Sequence, residues 1–309
     1  MKSPIAPPPL TLHVETTNSC NLDCVMCFQQ TMERKKGRID FDFYKAVINQ
    51  ASGWVHHLQL ANFGEPLLHP QIVEMVEYAA THGFFVELFT NGTLLTEERA
   101  RALIAAGVGK INISIDALDP AVYHGLRGTE LAPVLENLRT LRRLRDASGK
   151  PTPFLVVAGS DLQGNPGQPE RIRREHKSLG ADSWYVTPSM NWAGNADQSS
   201  AIKQRGSRVR GCLFPWYLMA VSREGIVTPC CIDAELRNAG GTFPDMSLGE
   251  IWNGESMQRL RRALLSGDLA TLHTISHCDC CSRLYVSQNM YTLNRGRVEL
   301  AQLMHFIRS

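Results

Sequence analysis

Six short apolar segments, set between amphipathic ones, constrain the fold of this chain more than any other feature. "LTLHVET", "HHLQLANF", "FFVELF", "KINISID", "FLVVAG" and "SWYV" read as strands. Between them "DFDFYKAVINQAS", "HPQIVEMVEYAATHG", "TEERARALIAAG", the region Pro120 to Ala147 and the stretch Pro169 to Leu179 read as helices. Pro70 stands near the start of the second helix and Gly83 just past its end, while Thr96 caps the third and Glu97 and Glu98 suit its first turn. Strands alternating with helices specify an α/β fold, a parallel sheet with right-handed crossovers, open or partly closed as a barrel.

The pattern ends after "MNWAGN". "ADQSSAIKQRGSRVRG" is polar and reads as a linker. "WYLMAVSREGIVTPC" then reads as a hairpin turning at Glu224 and Gly225, and "SLGEIWNGESMQRLRRALLSG" as mostly helix opened by a Ser247 to Glu250 capping box. The expected units are residues 1–195, a linker at 196–211, and a small C-terminal unit at 212–309 ending in a helix.

A net charge of +2 argues against a nucleic-acid partner. The basic clusters Arg139, Arg142, Arg143, Arg145 and Arg259, Arg261, Arg262 are expected on solvated helix faces. Prolines interrupt the N-terminal "MKSPIAPPPL", and no apolar run is long enough to span a membrane, so the expectation is a cytoplasmic protein without a membrane partner. Nine cysteines, clustered in a reducing compartment, point to metal or redox chemistry rather than disulfides.

Three of them, Cys20, Cys24 and Cys27, fall within "CNLDCVMCF", just after the first strand. Three thiolates mean either zinc with a borrowed fourth ligand or an iron-sulfur cluster with one iron lacking a protein ligand. No fourth ligand stands in this loop, and the nearest upstream histidine, His13, belongs to the strand.

"TTNSCNLDCVMCF" resembles the signature of the radical S-adenosylmethionine (SAM) enzymes. "NFGEPLLHP", "TNGTLLT" and "SIDALDPAVYHGLRG" continue that resemblance, in order, after the second, third and fourth strands. Phe63 stands where many members carry a first glycine. The resemblance spans residues 12 to about 195 and implies a partial (β/α)6 barrel with its site at the carboxyl ends of the strands. It implies that Cys20, Cys24 and Cys27 hold a [4Fe-4S] cluster whose open iron binds SAM. Gly64, Glu65 and Pro66 would then hold the methionine amino group, Ser114 and Asp116 the ribose, Asn91 would help close the pocket, and Phe28 would lie near the adenine. Ser114 and Asp116 could instead cap the next helix, and Asn91-Gly92 could be a simple turn.

Cys212, Gly225, Cys230, Cys278 and Cys281 are spaced like the first part of a SPASM domain, cut short as in its "twitch" form. That resemblance implies a second [4Fe-4S] cluster on Cys212, Cys230, Cys278 and Cys281, with a four-thiolate zinc site as the alternative. Cys231 and Cys280 are then surplus. Cys280 is expected to pack as a small hydrophobe, and Cys231 either to pack or to donate a hydrogen atom to a carbon radical.

The layout is similar to aminoglycoside-pathway radical SAM epimerases and dehydrogenases, which implies a sugar- or aminocyclitol-type substrate and an electron donor such as flavodoxin or ferredoxin. Epimerisation would use Cys231, and dehydrogenation the auxiliary cluster. Peptide epimerases and ribosomal-peptide maturases share much of the layout, and a non-catalytic iron-sulfur or zinc scaffold is the reading of another class. Asp233 is a possible base, though a solvated loop acid is expected. Arg127 is expected in a surface ion pair, and Arg210 near the site.

Overall fold

The computed structural model describes residues 3–188, 192, 211–276, 278–281 and 284. Most of the 196–211 linker, Arg210 and the expected terminal helix therefore lie outside the described residues. The expected strands form as β1 (Thr11–Val14), β2 (His57–Leu60), β3 (Phe85–Thr90), β4 (Lys110–Ser114), β5 (Phe154–Asp161) and β6 (Ser183–Pro188). They lie side by side in chain order, all parallel. Helices α1 (Phe41–Ala51), α2 (Ile72–Thr81), α3 (Glu97–Ala105), α4 (Pro120–Arg127), α5 (Leu131–Ala147) and α6 (Gln168–Glu175) make the crossovers. The region read as helical from Pro120 to Ala147 is two helices, because Gly128 adopts a left-handed backbone (φ 70°) and ends α4.

Alternation along the strands divides the sheet into two faces. Leu12, Val14, Leu58, Leu60, Val86, Leu88, Ile111, Ile113, Leu155 and Val157 face the helices in one continuous core. The other face carries Thr11, His13, Gln59, Glu87 and Asn112, each under 10% exposed, so the sheet curls and shields this polar face as a lumen. Glu87 sits at its centre. One carboxylate oxygen accepts from Lys110 Nζ (2.9 Å) and Asn112 Nδ2 (2.6 Å), and the other is 2.8 Å from His57 Nε2 and accepts from Gln59 Nε2 (2.9 Å).

The C-terminal hairpin does not stand apart. Its first strand, β7 (Leu218–Val221), pairs in parallel with β1, placing Leu218 and Ala220 on the lumen face with Thr11 and His13. Antiparallel β8 (Ile226–Thr228) and β9 (Gly241–Thr242) complete a nine-stranded sheet. The hairpin needs glycine at 225: φ is 89°, and a Cβ there would stand 2.3 Å from the Phe243 carbonyl oxygen.

Helices α7 (Leu248–Trp252), α8 (Glu255–Ser266) and α9 (Leu269–Ile275) follow, α7 opening with the expected capping box. Two arginines depart from the solvated-face expectation. Arg261 is fully buried, donating to the carbonyls of Pro4, Pro215 and Trp252 and stacking over the Trp252 ring, so it staples the proline-rich N-terminus to α8. Arg145 is buried against Asp182 and the Pro153 carbonyl. In both cases tertiary carbonyls and carboxylates satisfy the guanidinium, which helix periodicity alone does not reveal. Among the described residues no helix is long and apolar enough to cross a membrane.

Candidate active site

The loop after β1 bears Cys20, Cys24 and Cys27, all as free thiols. Burial pushes the Cys20 thiol up to about 11, with Glu65, Cys24 and Cys27 adding to the shift. Cys24 and Cys27 are raised too, mainly by burial. Packed, buried thiols that resist ionising one another fit a site completed by a cationic centre, which would hold them as thiolates.

The loops after β2, β3 and β4 close around this one. Gly64 touches it: a Cβ there would lie 2.2 Å from the Thr17 carbonyl oxygen and 2.7 Å from that of Ser19. The Glu65 amide donates to the Ser19 carbonyl. Its buried carboxylate accepts from Leu67 N (3.1 Å), Thr90 Oγ1 (2.8 Å) and Asn91 N (2.7 Å), and burial still leaves its pKa raised. Glu65 thus clamps the second and third loops to each other, and Pro66 begins a short 3-10 turn behind it. Asn91 Nδ2 donates to Asn21 Oδ1 (3.0 Å) and lies 3.9 Å from Cys20 Sγ, so Asn91 is more than a turn residue.

Asp116 is buried and does not cap a helix; Asp119 caps α4. One Asp116 oxygen accepts from Ser160 N (2.7 Å) and the other from Arg127 Nε (2.6 Å) and Nη2 (2.5 Å). Arg127 is therefore in a largely buried pair with both nitrogens on one Asp116 oxygen, not the expected surface one, because Gly128 turns the end of α4 against the cysteine loop. Its Nη1 is 3.9 Å from Cys24 Sγ, and the Val25 amide donates to the Leu126 carbonyl. Burial opposes the Arg127 charge, but Asp116 and Cys24 outweigh it and hold its pKa above the usual range. Ser114 ends β4 on the lumen face, half-buried.

Phe28 is buried with Met32, Phe63 and Ala234, and Trp192 packs against the group. Trp192, which the sequence reading passed over, donates from Nε1 to the Met26 carbonyl (2.8 Å) and lies 5.8 Å, ring to ring, from Phe63. It also packs against the cluster of Ile232 and Cys281, as Cys230 and Cys231 do, so one side chain reaches both cysteine regions. The available signal was a single tryptophan in the loop after the sixth strand. Arg34 makes a second link, bonding Glu15 at the end of β1, Glu224 in the hairpin turn and the Ala234 carbonyl.

In the second region, Cys230 is pushed well above its usual value by burial and then by Cys231, Asp233, Cys278 and Cys281. Cys278 is raised by burial and by Cys212, Cys281 and Asp233. Cys212, Cys230, Cys278 and Cys281 are thus near enough for their charges to act on one another. Cys231 joins them beside Cys230, and both also pack against the cluster of Phe214, Leu218 and Ala220. Cys280 is exposed, with Asp279 and Arg237 as its charged neighbours, which corrects the expected packing role: the Cys278–Cys281 turn points it outward. Asp233 is buried, not a solvated loop acid. It accepts from Arg237 N (3.0 Å), Asn238 N (2.7 Å) and Asn238 Nδ2 (2.9 Å), and Asn238 Oδ1 lies 3.7 Å from Cys278 Sγ. Its carboxylate shapes the turn that presents the cysteines.

Residues 14–157 match the radical SAM superfamily, and residues 212–282 match SPASM, an iron-sulfur cluster-binding domain. The chain is a radical SAM protein with a SPASM domain. Radical SAM domains bind SAM and a [4Fe-4S] cluster, and SPASM domains bind additional iron-sulfur clusters. The tungsten-containing aldehyde ferredoxin oxidoreductase cofactor-modifying protein of Pyrococcus furiosus is 32% identical over 179 residues, 57% of this chain and 50% of that protein. The AdoMet-dependent heme synthase of Nitratidesulfovibrio vulgaris is 30% identical over 188 residues, 60% of this chain and 50% of that one. The chain thus spans about half the length of these curated relatives. Among solved structures, BtrN in complex with AdoMet and 2-DOIA aligns over 91% of this radical SAM chain and 96% of its own, with TM-score 0.63 and 19% identity. Streptococcus suis SuiB bound to precursor peptide SuiA aligns over 81% and 66%, with TM-score 0.65 and 14% identity. At such identities the shared property is the fold.

Proposed function

We propose that this protein is a radical SAM enzyme that abstracts a hydrogen atom from a sugar- or aminocyclitol-type substrate and epimerises the resulting carbon centre. Cys20, Cys24 and Cys27 would hold a [4Fe-4S] cluster which, reduced and with SAM bound, would supply a 5′-deoxyadenosyl radical. The chain's own part is to hold and screen these groups. Gly64 brings its backbone against the cysteine loop, Glu65 and Asn91 fix the loops around it, and the Arg127–Asp116 pair braces Cys24. Phe28, Phe63 and Trp192 line the side toward the second cysteine region and exclude water.

The observation that carries the reading is the position of Cys231, a fifth thiol beside Cys230 that packs against both the cluster of Ile232 and Cys281, on which Trp192 also lies, and the cluster of Phe214, Leu218 and Ala220 that includes the lumen face of β7. From there the Cys231 S–H gives a hydrogen atom to the substrate carbon radical, forming the new C–H bond and leaving a thiyl radical. One electron from a carrier of the flavodoxin or ferredoxin class, with one proton from water, restores the thiol. The lumen's buried polar lining supports a small polar substrate.

A second reading, dehydrogenation of a carbinol, draws on the gathered Cys212, Cys230, Cys278 and Cys281, whose cluster would accept the extra electron. The deciding experiment incubates anaerobically reconstituted protein with SAM and reductant in deuterated water and a panel of aminocyclitols, aminoglycosides and short peptides. Epimerisation predicts product carrying one solvent deuterium, lost in Cys231→Ala. A product lighter by two hydrogens, formed equally by Cys231→Ala, overturns it in favour of dehydrogenation. No 5′-deoxyadenosine under any condition overturns the radical reading itself.

A further inference from the structure

We propose that Asn112 is a substrate-recognition residue, its side-chain carbonyl accepting a hydrogen bond from a hydroxyl or ammonium group of a small ring substrate in the lumen. The assignment rests on the aminocyclitol reading above. Asn112 is fully buried on the lumen face of β4, two residues before Ser114. Its amide orientation follows from its neighbour: Glu87, paired with Lys110, offers only acceptor oxygens, so the Asn112 group 2.6 Å from Glu87 Oε1 is the NH2. Oδ1 must then point away from Glu87, and it has no hydrogen-bond partner among the described residues.

A buried acceptor without a donor is a cost to the fold, recovered when a bound group supplies one. Asn112 pairs in register with Phe89 on β3 and Val156 on β5. Phe89, Val156, Ala158 and Tyr185 form one apolar wall beside it. An acceptor next to an apolar wall suits a ring whose C–H face lies on the wall and whose edge carries O–H or N–H donors, as in a cyclitol. Sites that hydrogen-bond a substrate group discriminate strongly against analogues lacking it.

The test measures 5′-deoxyadenosine formation by wild type, Asn112→Leu and His57→Leu against 2-deoxystreptamine, paromamine and myo-inositol as probes. His57→Leu, at the start of β2, also removes a hydrogen-bond partner of Glu87, so it controls for disturbance of that carboxylate. Asn112→Leu should raise KM for the responding probe about tenfold or more, the change expected from one lost buried hydrogen bond. Iron content and SAM affinity should match wild type, and His57→Leu should keep the wild-type KM. If Asn112→Leu does not load iron, Asn112→Ser carries the same comparison. An unchanged KM in the Asn112 variants, as for an acceptor satisfied by water, overturns the assignment alone. So does a variant pair that both fail to bind SAM, since that marks a structural role. A wild type that answers to none of the probes overturns the aminocyclitol reading and this assignment with it.

Discussion

Replacing Arg127 by methionine tests the claim that the fourth-strand loop is braced by a buried charge pair. Asp116 is 1% exposed, and two of its three hydrogen bonds come from Arg127, at 2.6 and 2.5 Å. Removing the guanidinium leaves a buried carboxylate whose one remaining donor among the described residues is the Ser160 amide. Breaking one side of such a pair costs about 3–5 kcal/mol, whereas an exposed pair is worth about 0–1 kcal/mol. At about 2–4 °C per kcal/mol for domains of 150–250 residues, the melting temperature should fall by roughly 6–20 °C. Differential scanning fluorimetry and urea unfolding of anaerobic protein measure this directly. The double variant Arg127→Met/Asp116→Asn should recover much of the loss, because a neutral amide still accepts from Ser160 and no longer needs a counter-charge. A loss below about 1 kcal/mol for Arg127→Met, or no recovery in the double variant, would refute the reasoning.

Gly64→Ala would push a Cβ to 2.2 Å from the Thr17 carbonyl oxygen, so iron retained by the N-terminal site and SAM affinity should both drop; wild-type values for both would contradict the close-approach argument. Cys278→Ser should cut iron incorporation while Cys280→Ser, on the exposed side of the same turn, leaves it unchanged, as read by iron and sulfide analysis. Burial raises Glu65 above its usual 4.5, so the folded state binds that proton more tightly. The group favours the fold below about pH 4.5, and its contribution disappears as pH rises through the raised value. Glu65→Gln should therefore flatten that part of the stability profile, which melting curves collected across the acid range would register.

Local pattern carried much of the architecture. The first six strands, the Thr96 and Ser247 caps and the Gly225 turn depend on residues near one another in the chain, and periodicity and turn chemistry expose them. The cysteine loop and the segments around Gly64, Asn91 and Asp116 were legible for the same reason, each following its own strand. What escaped depends on distant partners. Arg127 reads as an ordinary charge at a helix end until α4 is laid against Cys24. Asp233 reads as a loop acid until its chain folds back through Asn238, and Arg145 and Arg261 look solvated until carbonyls from elsewhere reach them. Trp192 has no motif, and only three-dimensional packing shows that it touches both cysteine regions.

The parallel pairing of β7 with β1 bears on how this protein can be dissected. Deleting everything after residue 211 would strip a neighbour from β1, leaving unpaired amide and carbonyl groups along an apolar strand that includes Leu12 and Val14. Bare edges of that kind invite intermolecular β-pairing and aggregation. The C-terminal portion is therefore a poor candidate for a detachable module, and a truncated barrel should precipitate rather than report the activity of the first cysteine loop on its own.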